Sequence, residues 1–129
     1  MKDGHYFNDG DEVWVQDGVY HRVDGPAVIM KDGTKKWFHL GKPHRDNGPA
    51  IIFGKGDQFW YKNGKKHRID GPAVIWESGV QEWHQNGLLH REDGPAVMGW
   101  SGDEYWLNGI YYHKEVLHMI EVQKMKRRF

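Results

Sequence analysis

Apolar residues along this chain come in short runs. "PAVIM" (26–30), "PAIIF" (49–53), "PAVIW" (72–76) and "PAVMGW" (95–100) are β-branched and aromatic segments, each opened by a proline that a strand tolerates at its first position. A second apolar segment follows, centred on a tryptophan, as in "QFWYK" around Trp60. Between the two lies a glycine turn such as "KDGT", and after the second lies "NG" at Asn63-Gly64 and Asn86-Gly87. Asp-Gly and Asn-Gly are hairpin signatures, because glycine accepts the positive φ that tight turns demand. The pattern predicts strand, turn, strand and loop, repeated. Neither strand alternates cleanly: the two residues beside each tryptophan point away from the indole, so both faces of the sheet are partly apolar. A curved sheet buries more of that surface than a flat one, at roughly 1.5–3 kcal/mol for each large side chain.

The pattern repeats every 23 residues. Its landmarks are Gly10, Gly33, Gly56, Gly79 and Gly102; Trp14, Trp37, Trp60, Trp83 and Trp106; His21, His44, His67, His90 and His113; and Pro26, Pro49, Pro72 and Pro95. The fifth copy slips at "WLNGIYYH" and lacks the "RxDGPA" of the others, as terminal repeats do when they cap an array. The expectation is an all-β protein: a single curved antiparallel β-meander of five 23-residue hairpin repeats over residues 1–113, about ten strands in all. Residues 114–129 change period. Val116, Leu117 and Ile120, with the basic run Lys124 to Arg128 beyond, suit a short amphipathic α-helix capping the open edge.

A unit such as "FWYKNGKKHRIDGPAVIWESG" resembles the MORN repeat, and more closely the divergent MORN-like arrays of bacterial antitoxin-type and viral proteins. It departs from the usual unit in carrying Arg-x-Asp-Gly-Pro-Ala after its histidine and no glycine two residues before its tryptophan. The resemblance extends to about Tyr112. It implies an extended, curved antiparallel sheet and a role in binding.

Charge adds little. Lys plus Arg equal Asp plus Glu at 18 each, so no global field favours nucleic acid or an anionic membrane, although residues 114–129 carry a net charge of +3. There is no cysteine, which excludes disulfides and thiol chemistry. The opening stretch has no apolar core of the kind a signal peptide needs, and no run approaches a membrane span; a cytoplasmic protein is expected.

An active site needs one copy of its acid, base and nucleophile, whereas this chain spells "HRVDGPAVI" four times with small changes. Zinc requires nitrogen ligands within a few ångströms of one another. Equivalent histidines two strands apart are separated by about twice 4.8 Å, so no metal site is expected. In His-Arg-x-Asp-Gly, the aspartate is expected to cap a tight turn and the arginine to reach a carboxylate or loop carbonyls. The tryptophans are expected in the core. No catalytic residue and no cofactor is nominated, and a repeat-built hydrolase ranks last among the readings. Function belongs where the units differ: the residues flanking each tryptophan, of which Phe38, Phe59, Tyr61, His84, Tyr105 and Leu107 form the candidate partner-binding row. The first reading is a non-catalytic scaffold that sequesters or inhibits a protein partner, with a homodimer also expected from the open sheet edges. The alternative is a small anionic or nucleotide-like ligand held by Arg45, Arg68 and Arg91 with His44, His67 and His90.

Overall fold

The computed structural model describes residues 2–99 and 101–128. The chain is an antiparallel meander. Its main sheet runs, in order, through Gly4–Asn8, Asp11–Gln16, Val28–Ile29, Lys35–Lys36, Ile51–Ile52, Gln58–Phe59, Val74–Ile75, Gln81–Glu82 and Val97–Met98, with Val19–Tyr20 pairing to the side of Asp11–Gln16. Four further hairpins are present: Phe38–His39 with Lys42–Pro43, Tyr61–Lys62 with Lys65–Lys66 and His84–Gln85 with Leu88–Leu89 each begin just after a tryptophan, and Tyr105–Leu107 with Ile110–Tyr112 carries Trp106 within it. Each tryptophan strand of the middle units is therefore two ladders rather than the single strand expected. The handover falls at the indole-bearing residue. Trp37 N–H still donates to Ala50 in the next unit, but from Phe38 onward the chain pairs with its own hairpin, and the Phe38 carbonyl accepts from Arg22 N–H of the unit before.

Two turn types alternate along the chain. In "MKDGT", Met30 N–H donates to the Thr34 carbonyl and Gly33 N–H to the Met30 carbonyl, with Gly33 at φ 92°. This is a three-residue loop with a glycine bulge, not the two-residue turn that Asp-Gly suggests; the Asp32 carboxylate instead accepts from Thr34 N–H at 2.9 Å. The second turn has two consecutive left-handed residues, as at Asn63-Gly64 (φ 49° and 82°) and Asn86-Gly87 (φ 52° and 84°). Its copy in the second unit places Leu40 at φ 49°, where a branched side chain is strained.

Side chains also tie unit to unit. The buried Thr34 hydroxyl accepts from Gly54 N–H at 3.0 Å, and the buried Asp57 carboxylate accepts from Glu77 N–H at 2.7 Å, each some twenty residues ahead. The Glu77 amide holds the Asp57 carboxyl below its usual range.

The most deeply buried column is alanine, not tryptophan. Ala27, Ala50, Ala73 and Ala96 are all 0% exposed, whereas Trp14, Trp37, Trp60 and Trp83 are half-buried. Each of those indoles lies beneath the arginine of the loop that leads into the alanine strand. At the far end the helix Lys114–Arg128 docks through Leu117, which is 6% exposed. Val116, expected to help close the edge, is exposed. The side chains of Ile120, Lys124, Lys126, Arg127 and Arg128 lie outside the described residues, as does Trp100. Among the described residues no helix is long and apolar enough to cross a membrane.

Leu40→Asn is expected to raise stability by about 1 kcal/mol, because asparagine tolerates the left-handed conformation and Leu40 is largely exposed. The midpoint of urea unfolding measures the change.

Candidate functional site

The repeated Arg-x-Asp-Gly-Pro loop builds a clamp over each indole. The guanidinium carbon of Arg22 lies 3.8 Å from the Trp14 ring centroid, Arg45 3.9 Å from Trp37, Arg68 4.1 Å from Trp60 and Arg91 4.0 Å from Trp83. In each, Nη1 donates to the carbonyl of the proline four residues on, at 3.1 Å. In three of them Nε also donates to the aspartate two residues on, at 2.9 Å for Asp24, 3.2 Å for Asp70 and 3.0 Å for Asp93. The Arg22 contact holds the Asp24 carboxyl below its usual range. The aspartate thus serves as the arginine's partner rather than as the turn cap expected.

The glycine beside it has an equally specific role. Gly25, Gly48, Gly71 and Gly94 lie outside the left-handed region, so positive φ does not explain them. A Cβ on any of them would stand only 2.8–3.0 Å from a guanidinium atom. Glycine fits because an added Cβ would press on the guanidinium, which its indole and proline-carbonyl contacts hold in place. Replacing glycine by alanine at a permissive φ ordinarily stabilises a protein. Here Gly71→Ala is expected to destabilise by about 1–3 kcal/mol through overpacking against Arg68, as read by thermal or urea unfolding.

The histidines are staples between units. Nδ1 of His21, His44, His67 and His90 accepts the backbone N–H of Leu40, Asn63, Asn86 and Asn108 respectively, at 2.9–3.1 Å. That bond occupies the Nδ1 lone pair, so the neutral ring carries its proton on Nε2, which in His44 meets Asp46 at 3.0 Å. His39 falls between two of the equivalent histidines, with ring centroids 4.9 Å from His21 and 5.9 Å from His44. His44, His67 and His90, together with Arg68 and Arg91, therefore have structural partners within the array.

The non-repeating residues gather on the opposite face. Cross-strand register aligns Val28, Lys36, Ile51, Phe59, Val74 and Glu82 in one row. Phe59 packs edge-on against Phe53 at 5.4 Å and Trp76 at 5.1 Å, and lies 6.4 Å from Tyr61. Beneath them Val74 is 0% exposed. Farther along the array, Tyr20 meets Phe38 at 5.4 Å. The expected row is thus less open than an exposed row would be: Phe38, Phe59, Tyr61, Tyr105 and Leu107 are half-buried, and His84 is buried at 7%. The cause is overlap, since Phe53 and Trp76 at the ends of neighbouring strands lean across Phe59. Both residues were missed from sequence. The available signal was that "PAVIM", "PAIIF" and "PAVIW" differ at their last residue, two positions from the buried aliphatic one and so on its face.

Within this cluster Glu82 bridges two donors: His84 Nε2 at 2.9 Å and Trp76 Nε1 at 2.7 Å. His84 Nδ1 is buried with no hydrogen-bond partner among the described residues. The His84 bond is the main reason the Glu82 carboxyl lies below its usual value of 4.5; burial acts in the opposite direction. A carboxyl whose folded pKa is depressed contributes stability that is present above its unfolded pKa and lost as pH falls through the folded one. Glu82→Gln is therefore expected to be less stable than wild type at neutral pH, with the gap closing below pH 4.5, as urea midpoints across that range would show.

No protein-family profile, curated protein or solved structure matches this chain.

Proposed function

We propose that this protein is a non-catalytic scaffold of MORN-like repeats that recognises a protein partner and sequesters or inhibits it, working in the cytoplasm. The observation that carries this reading is the division of labour between the two faces. On one face, the repeated arginines and histidines are engaged by indoles, proline carbonyls and the amides of the next unit. On the other, the units differ, and they differ in aromatic and charged side chains: Tyr20 with Phe38, then Phe59 with Tyr61, then Tyr105 with Leu107. Half-buried aromatics held in place by neighbours suit a binding hot spot, because little side-chain freedom remains to be lost on association. His84 is buried and bonded to Glu82, which gives it a positioning role within this cluster rather than a contact role.

Affinity capture with the intact protein is expected to recover one partner at fixed stoichiometry. A Phe38→Ala/Tyr61→Ala variant is expected to lose it while keeping the β-sheet circular dichroism of the wild type. A variant that folds and still captures the partner with undiminished yield would overturn the reading.

A further inference from the structure

Of the four arginine clamps, the second is incomplete. Arg22, Arg68 and Arg91 each have a carboxylate oxygen on Nε at 2.9–3.2 Å. In the second unit that position is Asn47, and the acidic residue stands one place earlier, at Asp46, where it pairs with His44 Nε2 at 3.0 Å. Arg45 retains its stacking on Trp37 and its bond to the Pro49 carbonyl, but no carboxylate lies within 4.0 Å of it among the described residues. Gly48 lies close against it, since an added Cβ there would stand 3.0 Å from Nη1. The result is a cation fixed in orientation, with its Nε–H lacking the acceptor that the other three units supply.

This guanidinium borders a groove of about 590 Å³ between the second and third loops. Trp60 and Tyr61 give the groove an aromatic wall, and Lys62 adds a cation beside Arg45 and the Asp70-paired Arg68. The two carboxylates on its rim are already engaged, Asp46 by His44 and Asp70 by Arg68. The corresponding groove between the third and fourth loops is lined by Arg91, already paired with Asp93, and by Glu92, and it has no lysine.

We infer that Arg45 forms an oxyanion-binding site, in which a carboxylate or phosphate group from outside the chain takes the place that Asp24, Asp70 and Asp93 occupy in the other units. Burial without a counter-ion lowers the Arg45 guanidinium from its usual value, in keeping with a cation awaiting one. The geometry asks for an acceptor in the guanidinium plane on the Nε side, which a planar carboxylate or a phosphate oxygen pair meets and a chloride ion meets poorly. Tyr61 borders both this groove and the partner-binding face, but the inference rests on Arg45 and Asn47, so the titration of Arg45 tests it apart from partner capture.

The test is a titration of full-length protein followed through the arginine Nε–H resonances in ¹⁵N-correlated NMR spectra, adding sodium acetate, sodium phosphate or sodium chloride at matched ionic strength. Arg45 is expected to shift with acetate or phosphate and not with chloride, while Arg22, Arg68 and Arg91 stay still. The acetate and phosphate arms tell which oxyanion is preferred. Asn47→Asp supplies the missing carboxylate in cis and is expected to abolish the response. Asp70→Asn removes a resident carboxylate and is expected to confer the response on Arg68. Equal movement of all four arginines, or no movement of Arg45, would overturn the inference, as would an Asp70→Asn protein that folds with Arg68 silent.

Discussion

A guanidinium lying flat on an indole, pinned from the side by a proline carbonyl, is the contact on which the remainder of this fold is arranged. It sets the path of the loop that leads from one unit to the next, because Arg68 fixes both Asp70 and Pro72 in place. Pro72 in turn starts the strand that carries Ala73 into the sheet, and Ala73 hydrogen bonds through its carbonyl to the amide of Trp60, the same residue whose ring the arginine covers. The circuit closes between one unit and the first strand of the next. Cation–π contacts of this kind are worth about 0.5–1 kcal/mol when exposed and about 2 kcal/mol or more when desolvated, so each is modest alone. Their weight comes from repetition and from the geometry each imposes on its neighbour.

That circuit explains which parts of the molecule could be read from the amino-acid order. The period of 23 and the antiparallel meander are legible because tryptophan, glycine and proline recur at fixed positions, and each has a narrow conformational meaning. The helix is legible because the period changes after His113. Other features depend on distances that spacing does not encode. "DG" in "KDGT" and "DG" in "RIDG" look alike, yet Gly33 is needed for its positive φ and Gly71 for its missing Cβ. The histidines repeat, which marks them as structural, but their acceptor role toward an amide eighteen or nineteen residues ahead follows only from three-dimensional register. The tryptophans look like core because they never vary; their half-exposure reflects a cover of arginine rather than of aliphatic side chains.

The candidate binding face shows the same limit. Period-two reasoning puts Phe59, Tyr61 and His84 on the side away from the indoles. It does not say that Phe53 and Trp76 from adjacent strands will lie across them, nor that Glu82 will be held between His84 and Trp76. Those contacts turn a list of differing residues into a cluster with its own buried polar link. The fourth unit is where this departure from the repeat is greatest: histidine and glutamate stand where the second and third units carry phenylalanine, tyrosine or lysine.

Each histidine accepts its hydrogen bond from an amide one unit ahead and no farther, and the same holds for Thr34 and Asp57. Such nearest-neighbour coupling leaves the number of units unconstrained by any long-distance closure. A gene encoding this chain can therefore gain or lose whole modules by in-frame duplication or deletion, lengthening or shortening the molecule like links in a watch strap while every surviving joint keeps its geometry.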